Sequence, residues 1–205
     1  MINEILIKKF DHPQDYKSFE EIHLDLHDQV VSQNLSGYIV FLQYDEVFTC
    51  GRFTKDKNYK DISIVKSSRG GDVTFHGNGQ EIIYPIINIK KLDIKLRDYV
   101  DILHNFLIKF LKSKDINSSR YPKKPGLWVK NKKVSSMGIA IKKGVTLHGL
   151  SLNIKCDLNS FSLIEPCGDS SIQVGNLLEL SNTNQNSMRL ELANSFLKEL
   201  SSYTS

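Results

Sequence analysis

The order of the periodic segments is the feature that most limits how this chain can fold. In three segments, 16–30, 96–111 and 193–200, apolar residues recur at three- and four-residue steps, which predicts amphipathic helices. Strand-like runs lie in blocks between these helices and do not alternate with them one by one. This order is typical of an α+β fold, a mixed β-sheet with flanking helices, and not of a doubly wound parallel sheet.

The strand-like runs also predict two hairpins. Five apolar runs are predicted strands, at residues 38–42, 82–89, 127–129, 134–141 and 145–154. Turn-forming residues at 130–132 and 142–144 predict hairpins that join the last three strands. No repeat, low-complexity block or linker divides the 205 residues, so we expect one domain spanning residues 1–205.

The charge and the cysteines exclude several classes of protein. The 27 Lys and Arg exceed the 23 Asp and Glu by four, and the excess is scattered, whereas nucleic-acid-binding proteins carry a denser basic surface. No run approaches the ~20 apolar residues of a membrane-spanning helix, and residues 1–9 lack the features of a signal peptide. Three cysteines without a CxxC pair indicate a reducing compartment. We therefore expect a cytoplasmic protein that binds neither nucleic acid nor membrane.

A glycine-rich polar segment lies between an apolar run and a predicted strand. It has four glycines in twelve residues and runs Arg69-Gly70-Gly71-Asp72-Val73-Thr74-Phe75-His76-Gly77-Asn78-Gly79-Gln80. Glycine lets a ligand approach the backbone closely, and the polar side chains offer hydrogen-bond donors. The spacing matches neither a P-loop nor a dinucleotide-binding fingerprint. A structural turn is the alternative to the favoured hypothesis, a binding loop.

Cys167 is the candidate nucleophile among the three cysteines. It lies between Pro166 and Gly168, outside any periodic pattern, which indicates that a stiff turn holds it. A nucleophilic thiol needs a lowered pKa, commonly through a cation or a helix N-terminus. The alternative is a small buried side chain, a role that fits Cys50 and Cys156 better because both lie in or beside strand-like runs.

Two further clusters place polar residues next to glycines. Lys133 leads into small residues that end at Gly138, which leaves space for a substrate, although most lysines on a hairpin are only solvated. In the segment 148–153, Gly149 interrupts a predicted strand, and such a glycine indicates a close approach of two backbones.

Metal and serine-hydrolase chemistry have no support in the sequence. His23 and His27 are four residues apart on the first helix, but the HExxH pattern is missing, so we expect a solvated helix face and no metal site. A Ser-His-Asp hydrolase is not predicted either, because no GxSxG motif occurs.

Taken together and in this order, the clusters resemble the octanoyltransferase family of lipoate biosynthesis. The segments that carry the resemblance are Phe48-Thr49-Cys50-Gly51-Arg52, Arg69-Gly70-Gly71-x-x-Thr74-Phe75-His76-Gly77-x-Gly79-Gln80 with Tyr84-Pro85-Ile86 after it, Gly126-x-Trp128-Val129 with Lys133-x-x-x-x-Gly138, His148-Gly149-Leu150-x-Leu152-Asn153, and Pro166-Cys167-Gly168. The resemblance covers residues 35–175, and the joint order of the motifs makes it specific.

The chain departs from the family pattern at three places. Asn78 replaces a proline, Gln43-Tyr44 replaces a Glu-His pair, and Ser135-Ser136 replaces alanines. None of these is the nucleophile or its lysine, so they bear on substrate fit more than on activity.

The resemblance implies the fold of biotin and lipoate protein ligase catalytic domains and an acyl transfer that uses no cofactor. The octanoyl group would pass from octanoyl-acyl carrier protein to a specific lysine of lipoyl domains, in the E2 subunits of 2-oxoacid dehydrogenases, and of glycine-cleavage H protein; a monomer is expected. Cys167 would accept the acyl group and Lys133 would activate it. The substrate site would comprise Arg69, Gly70, Gly71, Asp72, Val73, Thr74, Phe75, His76, Ser136, Met137, Gly138, Gly149, Leu150 and Ser151.

The implied chemistry is consistent with these residues. A thioester donor is already activated, so the reaction needs no ATP, and attack by the Cys167 thiolate would give an acyl-enzyme and release the carrier's thiol. A Lys133 ammonium would favour the thiolate, whereas neutral Lys133 could take the acceptor's proton. Backbone N–H groups at Gly168 or at Gly70 and Gly71 are candidates for binding the oxyanion.

Two rival functions remain open from the sequence. An ATP-dependent lipoate or biotin protein ligase of the same fold would have a similar glycine loop and lysine, but would need no nucleophilic cysteine. A non-catalytic binding protein for the acylated carrier or for a lipoyl domain would show no turnover.

Overall fold

The computed structural model describes residues 4–54, 62–122, 124–165 and 171–204. The helices are α1 (Tyr16–Ser32), α2 (Leu96–Lys112) and α3 (Gln185–Ser201). α1 and α2 agree with the predicted segments 16–30 and 96–111, whereas α3 begins eight residues before the predicted segment 193–200. The strands are β1 (Ile5–Lys9), β2 (Gly37–Leu42), β3 (Val47–Cys50), β4 (Ile64–Lys66), β5 (Thr74–His76), β6 (Gln80–Ile87), β7 (Ser119–Tyr121), β8 (Lys124–Val129), β9 (Lys132–Lys142) and β10 (Val145–Asn153). Short 3-10 helices lie at Asn159–Leu163 and Leu178–Leu180.

The main sheet has seven strands in the order β1-β2-β6-β10-β9-β8-β7. β1 and β2 are parallel and the other neighbours are antiparallel, so the predicted mixed sheet of an α+β fold is confirmed. Both predicted hairpins form. Lys130 and Asn131 join β8 to β9, and Lys143 and Gly144 join β9 to β10, all with positive φ as a two-residue type I′ turn requires.

Helices cover both faces of the central strands. On β2, the side chains of Tyr38, Val40 and Leu42 belong to a core cluster with α1. The alternate side chains, Ile39 and Phe41, belong to the larger cluster with α2 and α3. Burial on both faces explains why these strands are continuous apolar runs instead of alternating with polar residues.

The first helix corrects one expectation from the sequence. His23 and His27 are 2% and 0% exposed, so the predicted solvated helix face is wrong. The buried stripe of α1 runs through these histidines and leaves Ile22 39% exposed. His27 Nε2 lies 3.1 Å from the Lys142 carbonyl oxygen, so a hydrogen bond to β9 satisfies the buried ring.

Among the described residues, no helix is long and apolar enough to cross a bilayer.

A second, three-stranded sheet, in the order β4-β3-β5, was not predicted. Its strands have only three or four residues. It is held by a separate apolar cluster in which the rings of Phe48, Phe75 and Phe161 contact one another at centroid distances of 5.2 and 5.5 Å. This small sheet holds the start and the middle of the glycine-rich segment, because β4 ends shortly before the segment and β5 lies within it. The segment ends at Gln80, the first residue of β6 in the main sheet.

Candidate active site

The segment after β3 holds the start of the glycine-rich loop. The Arg69 guanidinium donates to the carbonyl and to the hydroxyl oxygen of Thr49, each at 2.9 Å. The Arg52 amide donates to the Arg69 carbonyl at 3.0 Å. Gly51 lies so close to the loop that a Cβ would be 2.4 Å from the Gly71 carbonyl oxygen. The two sequence motifs are therefore parts of one structure.

The loop also touches β9. The Gly70 amide donates to the Ile139 carbonyl at 2.9 Å, and a Cβ on Gly138 would lie 2.9 Å from the Gly70 carbonyl oxygen. The Gly70 N–H, one of the groups considered for the oxyanion, is thus already engaged within the protein. The ring of Phe53 lies beside Gly70, and its side chain is 70% exposed.

A cavity of about 790 Å³ opens between the loop and the sheet. Its lining residues are Phe53, Arg69, Gly71, Asp72, Val73, Thr74, His76, Tyr84, Pro122, Lys124, Pro125, Ser136, Met137, Gly138, His148, Gly149, Leu150, Ser151 and Ile172. Its volume lies in the ~300–1,000 Å³ range of small-molecule sites. Three chain segments that are distant in sequence therefore meet at one cavity.

Most residues predicted to bind substrate line this cavity, with two exceptions. The side chain of Phe75 packs into the apolar cluster under the small sheet, and Gly70 lies against β9 behind the cavity wall. Phe53, Tyr84 and Ile172 line the cavity but were not among the predicted substrate-binding residues. Tyr84 belongs to the Tyr84-Pro85-Ile86 segment that follows the glycine-rich motif, a signal that could have found it.

A break between β6 and β10 lies under the cavity. The two strands pair from Leu150 onward and again at Val145, but not between these points. Pro85 of β6 has no N–H to donate there. The Thr146 hydroxyl bridges the gap: it donates to the Pro85 carbonyl at 2.7 Å and accepts from the Ile87 amide at 2.8 Å.

Two residues of β10 adapt to this break. His148 has a φ of +60°, which is unusual for a residue with a side chain. Gly149 lies so close to β6 that a Cβ would be 2.3 Å from the Ile83 carbonyl oxygen. The close backbone approach predicted for Gly149 is therefore confirmed.

Buried imidazoles lie at the inner end of the cavity. His148 Nε2 is 2.8 Å from Ser68 Oγ, while its Nδ1 is buried without a hydrogen-bond partner in the described residues. The His148 amide donates to His23 Nε2 at 3.3 Å, and the His23 ring stacks on Tyr84 at 4.9 Å. Burial lowers the pKa of His23 to about 3 and that of His148 well below 6.5. Both rings are therefore neutral near pH 7.

A chain of hydrogen bonds joins the loop to the segment after Cys167. His76 Nδ1 lies 2.7 Å from the Gln80 amide oxygen, and the Gln80 amide donates to Asn153 Oδ1 at 2.9 Å. Asn153 Nδ2 then donates to the Gly175 carbonyl at 3.1 Å. Burial lowers the pKa of His76 to about 4, so this ring is neutral too.

Lys133 is buried at the start of β9, only 2% exposed. Its amide donates to the Gln173 carbonyl at 2.7 Å, and its carbonyl accepts from the Gly175 amide at 2.9 Å. Its side chain passes Gly126, where a Cβ would be 3.0 Å from Lys133 Cε. Since Pro125 lines the cavity, the lysine stem lies just behind the cavity wall.

Cys167, the predicted nucleophile, lies outside the described residues, as do Pro166 and Gly168. The structural role expected for Cys156 agrees with its position: it is 5% exposed, its thiol donates to Asn176 Oδ1, and burial raises its pKa to about 12. Cys50 is half-buried in β3.

In the described part of the chain, no group of three His, Cys, Asp or Glu residues is arranged to hold a metal ion.

The departures from the family pattern have structural roles. Gln43 accepts a hydrogen bond from the Gly79 amide at 2.9 Å, and the Tyr44 ring packs 4.9 Å from that of Tyr16. Ser135 is buried and Ser136 lines the cavity.

A family model and solved structures show which protein family the chain belongs to and which fold it shares. A family model described as the lipoyl protein ligase A/B catalytic domain matches residues 16–200. The chain therefore belongs to that family. Solved structures show the same fold: a lipoate protein ligase, described as putative, from T. acidophilum with bound lipoic acid has a TM-score of 0.69 at 15% identity, over 97% of this chain and 86% of that one. The structure of biotin protein ligase from Aquifex aeolicus in complex with biotin and ATP has a TM-score of 0.57 at 13% identity. The match covers 98% of this chain and 72% of that one.

Relatives with higher sequence identity show which type of enzyme the chain is within this family. An octanoyltransferase from Wigglesworthia glossinidia brevipalpis is 41% identical over 174 residues, which cover 83% of this chain and 80% of the relative. An octanoyltransferase from Buchnera aphidicola subsp. Schizaphis graminum is 40% identical over 158 residues, 73% of this chain and 72% of the relative. The resemblance predicted from the motifs is confirmed: the protein is an acyltransferase of the octanoyltransferase type.

Proposed function

We propose that this enzyme takes its octanoyl group from octanoyl-acyl carrier protein and passes it, through a thioester on Cys167, to a lysine of lipoyl domains and of glycine-cleavage H protein. The observation that carries the proposal is the cavity beside buried Lys133. Val73, Met137, Leu150 and Ile172 give it an apolar wall, and burial of an alkyl chain there contributes about 0.8 kcal/mol per methylene.

The reaction has two steps, a transthioesterification followed by an aminolysis. The Cys167 thiolate attacks the thioester carbonyl, the carbon–sulfur bond to the carrier's pantetheine arm breaks, and the departing sulfur takes a proton from the Lys133 ammonium and leaves as a thiol, so that Lys133 becomes neutral. The neutral amine of the acceptor lysine then attacks the acyl-enzyme, an amide forms, and the Cys167 thiolate is regenerated. Lys133 is proposed to hold the thiolate as an ammonium and, when neutral, to take the acceptor's proton.

The neutral histidines support the donor-binding part of this proposal. An uncharged His76 and His148 at the inner end of the cavity leave an apolar chain without a nearby imidazolium, which would attract water. One protomer is expected to suffice, since the proposed nucleophile and lysine belong to the same chain.

Intact-mass spectrometry tests the acyl-enzyme directly. We expect a gain of one octanoyl group when the protein meets octanoyl-acyl carrier protein without ATP, and loss of that group to an added lipoyl domain. Cys167→Ser should form no adduct. The matched controls Cys50→Ser and Cys156→Ser should acylate normally, because Cys156 is buried and Cys50 lies within a strand.

The same assay separates the transferase from its rival. Lys133→Ala should slow acylation at least tenfold, the size of a lost general base or charge partner. No adduct without ATP, but modification of the lipoyl domain once octanoate and ATP are supplied, would contradict the donor and the thioester and would favour a ligase reaction.

A further inference from the structure

We propose that Trp128 is the positioning residue of Lys133: its indole face holds the lysine ammonium in place for acyl transfer. The proposal rests on the catalytic role proposed for Lys133. Lys133 Nζ lies 5.3 Å from the centroid of the Trp128 ring, within the ~6 Å limit of a cation–π contact. The two side chains are 2% and 5% exposed, so solvent screens this attraction little.

A β-bulge creates the contact. β8 and β9 pair Gly126 with Ser136 and Leu127 with Ser135, and continued regular pairing would then place Trp128 opposite Val134. Instead the register shifts between Leu127 and Trp128, and Trp128 pairs with Lys133. Because successive side chains point to opposite faces of a sheet, this shift of one residue brings the indole and the lysine to the same face.

Neighbouring residues fix the indole ring. Tyr121 of β7 meets it edge-on, with centroids 4.9 Å apart and an interplanar angle of 67°. The Tyr121 hydroxyl donates to Asn131 Oδ1 at 3.1 Å, in the turn that leads to Lys133. Tyr121 thus holds the indole ring from β7, and the turn that leads to Lys133 holds Tyr121 in turn.

The chemical consequence concerns the charge on the lysine. An aromatic face attracts an ammonium through its quadrupole and has no comparable attraction for a neutral amine. The charged form of Lys133 is the one proposed to stabilise the Cys167 thiolate. A weaker indole face should therefore slow acyl-enzyme formation without changing how the donor binds.

Graded fluorination of the tryptophan tests this idea with little change of shape. The chain has one tryptophan, so biosynthetic replacement by mono-, di- and trifluorotryptophan alters position 128 alone. Each fluorine weakens the quadrupole, so the rate constant of acylation by octanoyl-acyl carrier protein should fall stepwise while the half-saturating donor concentration stays constant. Trp128→Leu should be about tenfold to thirtyfold slower, and Trp128→Phe should recover part of that loss.

A spectroscopic measurement supplies a readout that is independent of activity. The fluorescence emission of Trp128 should shift when Lys133→Met removes the cation that lies over the indole ring. Lys132→Met is the matched control, because the exposed neighbouring lysine lies against Gly175 and not against the indole.

The outcomes separate the two proposals. Equal acylation rates across the fluorotryptophan series, with Lys133→Ala still slow, would show that Trp128 only packs and would overturn the inference. The same Trp128 emission in wild type and Lys133→Met would overturn it as well. Normal acylation by Lys133→Ala would instead contradict the proposed role of the lysine.

Discussion

At the scale of single residues, Thr146 has the most easily tested role. Its hydroxyl accepts from the Ile87 amide and donates to the Pro85 carbonyl where β6 and β10 do not pair. Thr146→Val keeps the shape but leaves the buried Ile87 N–H without its partner, so the free energy of unfolding should fall by about 2 kcal/mol. Urea denaturation followed by circular dichroism measures this loss.

Thr146→Ser provides the control for this prediction. It keeps the hydroxyl and removes only a methyl group, which should cost about 1 kcal/mol. A serine variant that is less stable than the valine variant would show that packing of the methyl group, and not the bridging hydroxyl, holds the two strands together.

At the scale of structural elements, the turn between β5 and β6 explains the departure at Asn78. The Gln80 amide donates to the Gly77 carbonyl at 3.2 Å, and Gly79 has a φ of +79°, so the turn is type II with exposed Asn78 at its second position. Proline is favoured at that position. Asn78→Pro should raise the free energy of unfolding by about 0.4–1 kcal/mol, because it restricts the unfolded chain.

A substitution of Gly79, the next residue of the turn, should lower the free energy of unfolding instead of raising it. Gly79→Ala should destabilise by more than about 1 kcal/mol, since alanine disfavours this φ and its Cβ would lie 2.3 Å from the Lys155 carbonyl oxygen. Chemical denaturation of Asn78→Pro and Gly79→Ala measures both changes in the free energy of unfolding. A destabilised Asn78→Pro would show that the Asn78 backbone does not have the φ of a proline.

The elements also show what a sequence can and cannot reveal. Long periodic helices and hairpins with a Lys-Asn or Lys-Gly turn were predictable, because their signals are local. The small sheet was missed since its strands have three or four residues, too few for an alternating pattern. His23 and His27 were misplaced because a polar side chain on a buried stripe is satisfied by residues distant in sequence, here His148 and Lys142.

The candidate site was predictable as a set of motifs but not as a geometry. Residues 69–76, 136–138 and 149–151 were grouped through the family resemblance, and most of them line one cavity. The exposed Phe53 and the contact between Lys133 and Trp128 depend on tertiary packing and on a β-bulge. Neither has a signature in the local sequence.

At the scale of the whole molecule, the buried histidines predict a stability that falls in mild acid. Burial lowers the pKa of His23 to about 3, that of His76 to about 4, and that of His148 well below 6.5. The unfolded chain binds these protons near pH 6.5, so stability is complete above pH 6.5 and is lost as the pH falls toward 4. At pH 5, protonation in the unfolded chain should cost about 2 kcal/mol at His23 and about 2 kcal/mol at His76.

Denaturant midpoints measured between pH 7.5 and pH 5 test this prediction. Glu81, whose pKa burial raises, opposes the trend only weakly, since the folded state then takes up its own proton as the pH falls. His23→Phe should reduce the loss of stability between pH 7.5 and pH 5 by about 2 kcal/mol, because the unfolded chain then binds one proton fewer; a substitution at exposed His12 is the control. An unchanged slope in His23→Phe would contradict the assignment.

The attachment of the chain around Cys167 has an evolutionary consequence. Ile164 is buried on one side, and Gln173 and Gly175 are bonded to Lys133 on the other. Under the proposed mechanism, an insertion or deletion between these anchors would shift the nucleophile relative to its lysine while Gln173 and Gly175 stay bonded to Lys133. Drift in the length of this segment should therefore be purged by selection on turnover.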